Sequence, residues 1–156
     1  MKLEPDYEEL LKLFNKHRVK YCIVGAFAVA FYALPRYTKD MDILVEASPE
    51  NGRRITQALK DFGFGSLKLS PEDFTEEKQI VQLGYEPVRI DLLTSIEGNS
   101  FKAVWKHKKR GLYGKTKVFF IGLNELIKNK TVSDRKQDSI DAEVLHATLR
   151  RRGSAE

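Results

Sequence analysis

A four-residue apolar run, Tyr21-Cys22-Ile23-Val24, ends at Gly25, and a DxD pair, Asp40-Met41-Asp42, opens a second apolar run, Ile43-Leu44-Val45. This ordered set restricts the chain more than any other part of it. Tyr21 to Val24 has the length and β-branched content of a buried strand. The Ala-rich segment 26–33 favours a helix, and Pro35 stops it. At the strand-to-helix junction Gly25 has no Cβ, so backbone N–H groups can approach an anion closely, and the helix N-terminus behind them favours negative charge. Asp40 and Asp42 are two apart at the start of a strand, so both carboxylates point to one face. Two carboxylates so close repel unless a cation lies between them, and a hard divalent ion such as Mg²⁺ or Mn²⁺ suits oxygen ligands. Taken singly, a DxD is common and a glycine after a strand is an ordinary turn residue. The combination is less so.

A third acid, Asp91, lies in Val88-Arg89-Ile90-Asp91-Leu92-Leu93, between apolar neighbours. A charge in mid-strand is costly without a partner. Either a base such as Arg89 neutralises it, or it joins Asp40 and Asp42 around a metal, the arrangement that two-metal phosphoryl transfer requires.

The rest of the chain supplies a scaffold. Helices are expected over 5–17, over 49–62 with Ser48 as N-cap and Gly63 closing, over 99–108, over 124–130 and over 134–149. Strands are expected over 79–83 and 88–93, and a hairpin over 109–121 turning at Tyr113-Gly114. Residues 65–77 read as irregular and 150–156 as a frayed tail. The order α-β-α-β-α-β-β-α-β-β-α-α predicts an α/β (α+β) fold, a mixed β-sheet flanked by helices with a small C-terminal helical cap. At 156 residues the chain is the size of one domain, 1–156, with a core over about 20–122 and the cap over about 123–150.

Composition narrows the chemistry. One cysteine, Cys22, permits no intrachain disulfide, and the scattered histidines, His17, His107 and His146, form no zinc motif. The charged N-terminus lacks a secretory pattern and the longest apolar run is too short and too broken to span a bilayer, so a cytoplasmic protein is expected. A net charge of +5 suits polyanionic partners, nucleotides or RNA, and equally suits plain solubility. The cluster Lys106-His107-Lys108-Lys109-Arg110 carries the same two readings.

The ordered residues resemble the nucleotidyltransferase superfamily of DNA polymerase β, in which an apolar residue, Gly, and Gly or Ser precede a DxD, with a third Asp on a later strand. More narrowly, Arg36-Tyr37-Thr38-Lys39-Asp40-Met41-Asp42, with Lys130 and Arg135-Lys136-Gln137-Asp138-Ser139-Ile140-Asp141, is similar to the small nucleotidyltransferases related to AbiEii toxins. The resemblance spans about 21–145. It implies transfer of a nucleoside monophosphate from an NTP to an acceptor hydroxyl, on RNA (tRNA) or protein, with release of pyrophosphate. It further implies Asp40, Asp42 and Asp91 as catalytic metal ligands for Mg²⁺ or Mn²⁺, and Lys130 as a catalytic phosphate contact. Gly25, Ala26, Arg36, Thr38, Lys130 and Asp138 would bind the nucleotide, no membrane is involved, and an antitoxin is a candidate partner. The chain departs from the superfamily at Ala26, where a serine hydroxyl often helps hold the triphosphate. That departure favours the alternative of a catalytically silent nucleotide- or RNA-binding module on the same scaffold. A third reading makes the acidic cluster a set of salt bridges in a structural or regulatory protein. Read without the resemblance, Lys130, Asp134, Asp138 and Asp141 would share one stripe if the helix were continuous, whereas a break at Thr131-Val132-Ser133 would make Ser133 or Asp134 an N-cap, and Arg135 and Asp138 would form a solvated pair.

Overall fold

Asn51 is a polar residue in a helix that packs against a sheet, yet it is 1% exposed. Its amide explains how the first elements are held. Its oxygen accepts from the Lys20 N–H at 2.8 Å, and its nitrogen donates to the carbonyls of Lys20 at 3.1 Å and Glu46 at 3.0 Å. One side chain thus fastens the entry of strand β1 (Tyr21–Val24) and the exit of β2 (Asp40–Val45) to helix α3 (Pro49–Phe62). The computed structural model describes residues 3–33, 35, 38–65 and 68–155, without the side chains of residues 154 and 155.

Six strands form one mixed sheet in the order β3-β4-β2-β1-β6-β5, where β3 is Ile80–Leu83, β4 Arg89–Leu93, β5 Lys109–Tyr113 and β6 Thr116–Phe120. β2 runs antiparallel to β1 and parallel to β4, and β1 runs parallel to β6. All four residues of β1 are buried, as expected of a central strand covered on both faces. β2 buries Met41, Ile43, Leu44 and Val45 and leaves Asp40 and Asp42 half-buried.

Helices α1 (Pro5–Lys16) and α3 pack side by side. α1 has proline in its first turn and buries Tyr7, Leu10, Leu11 and Phe14, which recur at helical spacing. Each such side chain contributes about 1.5–3 kcal/mol by leaving water. α3 starts where the Ser48 hydroxyl accepts from the Asn51 N–H at 3.1 Å and ends at Gly63 in the left-handed conformation, φ +105°. α2 (Gly25–Tyr32), α4 (Phe101–Lys106), α5 (Leu123–Val132) and α6 (Lys136–Ala155) complete the fold.

The element order is the one expected from sequence, with two differences. Within the stretch expected to be irregular, 71–74 form a 3₁₀ turn with a Ser70/Asp73 capping box, and its Phe74 is fully buried. The expected frayed tail is helical to Ala155. The Arg152 guanidinium lies 5.2 Å from the centre of the Tyr32 ring on α2, a cation–π contact that docks the last turns. Among the described residues no helix is long and apolar enough to cross a membrane.

Candidate active site

The register of β2 against β4 builds the site. Asp42 lies directly across from Asp91, and Asp40 across from Arg89. Residues two apart on a strand share a face, so Asp40, Asp42, Arg89 and Asp91 all project to the same side. One carboxylate oxygen from each of the three acids lies within 4.8 Å of the others. All the donors are hard oxygens, a set that fits Mg²⁺ or Mn²⁺ and offers nothing to a soft metal. Arg89 lies among them. Its Nε donates to Asp91 Oδ1 at 3.1 Å, and its Nη2 donates to Asp91 Oδ2 at 3.1 Å and to Asp40 Oδ2 at 3.0 Å. The structure thus shows the Arg89 partnership, and it also places the three carboxylates close enough together that they could share an ion.

Asp42 is the most perturbed of the three. Burial and the neighbouring charges of Asp40 and Asp91 push its carboxyl up to about 6, while Lys130 and Arg89 pull the other way. Burial also raises Asp91, against the hydrogen bonds and charge of Arg89. The Arg89 guanidinium is in turn held above its ordinary value by its hydrogen bond and charge contact with Asp91.

Gly25 has a second constraint besides the one expected from sequence. Its φ is +66°, and a Cβ built on it would lie 2.5 Å from Asp42 Oδ2. The space that a side chain would fill is taken by the Asp42 carboxylate. A glycine at this junction therefore also lets the DxD strand approach the N-terminus of α2.

Lys130 comes from the end of α5 and is buried. Its Nζ lies 2.8 Å from Asp138 Oδ1 and 3.4 Å from Asp141 Oδ2, both on α6. The Ser133 hydroxyl donates to Asp138 Oδ2 at 2.6 Å. Burial acts to raise the Asp138 carboxyl, but the hydrogen bonds from Lys130 and Ser133 together outweigh it and hold the group below the usual carboxylate range. The helix is not continuous here. It breaks between Val132 and Lys136, in keeping with the two separate helices expected from sequence, so the alternative of a single stripe does not form, and Asp134 falls in the break. Lys130 meets Asp138 and Asp141 instead across the angle between two helices.

Gly25, Asp40, Asp42, Asp91, Lys130 and Asp138 line one cleft of about 900 Å³. Of the other residues expected to bind nucleotide, Thr38 donates its hydroxyl to the Asp40 carbonyl at 3.0 Å and is not among the residues that line the cleft. Ala26 is the second residue of α2, beside Gly25. Arg36 lies outside the described residues. The cleft adds residues that sequence reasoning did not place there. Arg89 was read only as a neutralising partner, and Arg135 as part of the C-terminal motif run or as a solvated pair with no site role of its own, yet both line it, with Ser133, Glu77 and Glu97. The signal for Arg89 was present, since a residue two before Asp91 on a strand must share its face. The basic cluster at 106–110 does not line the cleft. It leads into β5 at the sheet edge, with β1 and β6 between it and the DxD strand.

No family model and no curated protein matches the chain. Solved structures do. The lincosamide antibiotic adenylyltransferase LnuA, in its lincomycin-bound form, superposes with a TM-score of 0.53 at 15% identity, over 95% of this chain and 99% of that one. An antigenic nucleotidyltransferase-like protein from Paracoccidioides brasiliensis superposes with a TM-score of 0.57 at 12% identity, over 94% of this chain and 77% of that one. At such identity the likeness concerns the fold. The chain has the nucleotidyltransferase fold, in agreement with the fold class expected from its sequence.

Proposed function

We propose that the protein transfers a nucleoside monophosphate from an NTP to an acceptor hydroxyl, releasing pyrophosphate. The observation that carries this reading is the convergence of Asp40, Asp42 and Asp91 in a cleft that also holds Gly25 and the buried Lys130. Mg²⁺ or Mn²⁺ held by the three carboxylates would neutralise charge on the transferring phosphoryl and lower the pKa of the attacking hydroxyl. The protein's own groups do the rest. The N–H groups that follow Gly25, beginning with Ala26, cradle phosphate at the start of α2, where the helix dipole favours an anion. Lys130 presents a fixed positive charge to phosphate, oriented by Asp138 and Asp141. Thr38 holds the backbone at Asp40 and so aims its carboxylate. Arg36 is assigned to phosphate binding on its sequence motif alone. Asp91 orients the acceptor hydroxyl. As Asp91 takes the hydroxyl proton, the hydroxyl oxygen forms a bond to the α-phosphorus, the bond from that phosphorus to the bridging oxygen breaks, and pyrophosphate leaves with the electron pair of that bond.

For the acceptor, the sequence resemblance points to RNA (tRNA) or protein. A small hydroxyl compound is the second reading, and two observations favour it. The basic cluster at 106–110 lies away from the cleft. The cleft also has an apolar flank, Ile80, Leu93, Ile96 and Phe101. A lincosamide is the substrate class named for LnuA.

The test is incubation with labelled NTPs and Mg²⁺ or Mn²⁺, offering total RNA, total protein and small hydroxyl compounds as separate acceptors. Label should pass to one acceptor class with wild type and not with Asp42→Asn. NTP binding without turnover in any arm would instead establish the silent binding module, which the missing hydroxyl at Ala26 favours.

A further inference from the structure

We propose that Arg89 is a tethered cation that competes with the divalent ion for the carboxylate cluster, so that ion binding requires the guanidinium to leave. The proposal rests on the metal-binding reading of Asp40, Asp42 and Asp91. Its basis is where the Arg89 nitrogens lie. The fork engages both oxygens of Asp91, at 3.1 Å each, and the same Nη2 reaches Asp40 Oδ2 at 3.0 Å. Those carboxylates are the ones an ion would use. A Mg²⁺ at its ordinary distance of about 2.1 Å from an oxygen of Asp91 would sit beside a full positive charge. Repulsion at such a distance is severe in a partly buried site. Ion and guanidinium therefore exclude each other.

The structure also gives Arg89 a route out. Its backbone is fixed by pairing with Asp40 across the ladder, so only the side chain has to move. That side chain is 28% exposed and lines the cleft, so it can turn into open space without disturbing the core. Once turned out, Arg89 faces the volume that contains Lys130 and Arg135. Loading the ion thus frees a guanidinium for an anionic ligand, and the metal-free protein keeps its carboxylates neutralised in the meantime. The planar fork is matched to a carboxylate in a way that a lysine ammonium is not. This distinction separates the proposal from a general charge balance.

The test is direct measurement of Mn²⁺ affinity, by calorimetry and by the loss of the free-ion paramagnetic resonance signal, on wild type, Arg89→Met and Arg89→Lys. Removing a competing charged hydrogen-bond fork should tighten Mn²⁺ binding about tenfold or more in Arg89→Met. Arg89→Lys should fall between, severalfold tighter than wild type, and it carries the test by itself if Arg89→Met does not fold. Thermal melts of the metal-free proteins run beside it. A merely structural role for Arg89 would lower the metal-free melting temperature and leave the Mn²⁺ affinity where it was. Equal or weaker Mn²⁺ binding in the folded variants overturns the proposal and leaves the metal reading standing. Absence of Mn²⁺ binding in wild type and in both variants overturns the two together.

Discussion

At the scale of single residues, the site concentrates unfavourable charge, and Asp42 bears most of it. Burial is the leading cause, and the carboxylates of Asp40 and Asp91 add to it, so that its pKa stands at about 6 against an ordinary 3.8. The folded protein therefore binds more protons than the unfolded chain between these two values. The stability that Asp42 contributes is complete below about 3.8 and is lost as the pH rises through about 6. Metal-free protein should be less stable at pH 7.5 than at pH 5 by about 1.4 kcal/mol from this residue, the roughly one pH unit between 5 and its raised value at about 1.4 kcal/mol per unit. Asp42→Asn should remove that part of the pH dependence, so the mutation stabilises more at pH 7.5 than at pH 5. Urea unfolding of both proteins at the two pH values, in the presence of a chelator, checks this. An equal effect of the mutation at both values would show that the Asp42 carboxyl is not raised. Saturating Mg²⁺ should reverse the trend, because the ion binds the charged form.

At the scale of elements, two contacts decide the architecture of the site. One is the β2–β4 ladder, which places Asp42 opposite Asp91. A slip of one residue would send Asp91 to the other face and end the convergence. The other is the junction of α5 and α6, fastened by Lys130, Asp138 and Asp141. This is a buried ionic cluster, and removing its cation takes a positive charge away from two buried carboxylates. Lys130→Ala should therefore cost about 3–5 kcal/mol of stability. Lys130→Ala with Asp138→Ala should cost less than the sum of the two single changes, by about 1 kcal/mol or more. A double-mutant cycle in urea measures it, and additive costs would mean that the pair contributes nothing as a pair. Any effect of Lys130 on nucleotide affinity has to be read from variants shown to be folded.

At the scale of the whole molecule, the net charge of +5 conceals a divided surface. The cleft brings together Asp40, Asp42, Glu77, Asp91, Glu97 and Asp138 against Lys78, Arg89, Lys130 and Arg135. Part of the basic excess lies elsewhere, at 106–110 and along the last helix. A divalent cation should therefore stabilise the folded chain by mass action, since the unfolded chain has no such cluster. At an ion concentration of 100 times the dissociation constant the gain is about 2.7 kcal/mol. For a chain of this size that raises the melting temperature by about 5–10 °C. Asp40→Asn with Asp42→Asn should abolish the rise. Differential scanning fluorimetry with Mg²⁺ and Mn²⁺ decides the matter; the same rise in wild type and double mutant would place the ion elsewhere.

Features that depend on near neighbours in the chain were legible from sequence. Hydrophobic period, capping residues and turn residues are local, and they determined the order of the helices and strands. They also determined that Asp40 and Asp42 share a face, because side-chain alternation follows from the backbone alone. The buried character of β1 was readable from its unbroken apolar run. Only the tertiary structure decided which strand lies beside which. Register across β2 and β4 is set by packing between segments far apart in the chain, and it alone brought Asp91 to Asp42 and Arg89 to Asp40. The same holds for Asn51, whose partners Lys20 and Glu46 become its neighbours only in the fold. It holds for Gly25 as well, whose missing Cβ is required by a carboxylate on another strand. The meeting of Lys130 with Asp138 and Asp141 likewise depended on the angle at which α5 and α6 pack. Local pattern carries no information about that angle, because it is set by which side chains fill the space between the two helices.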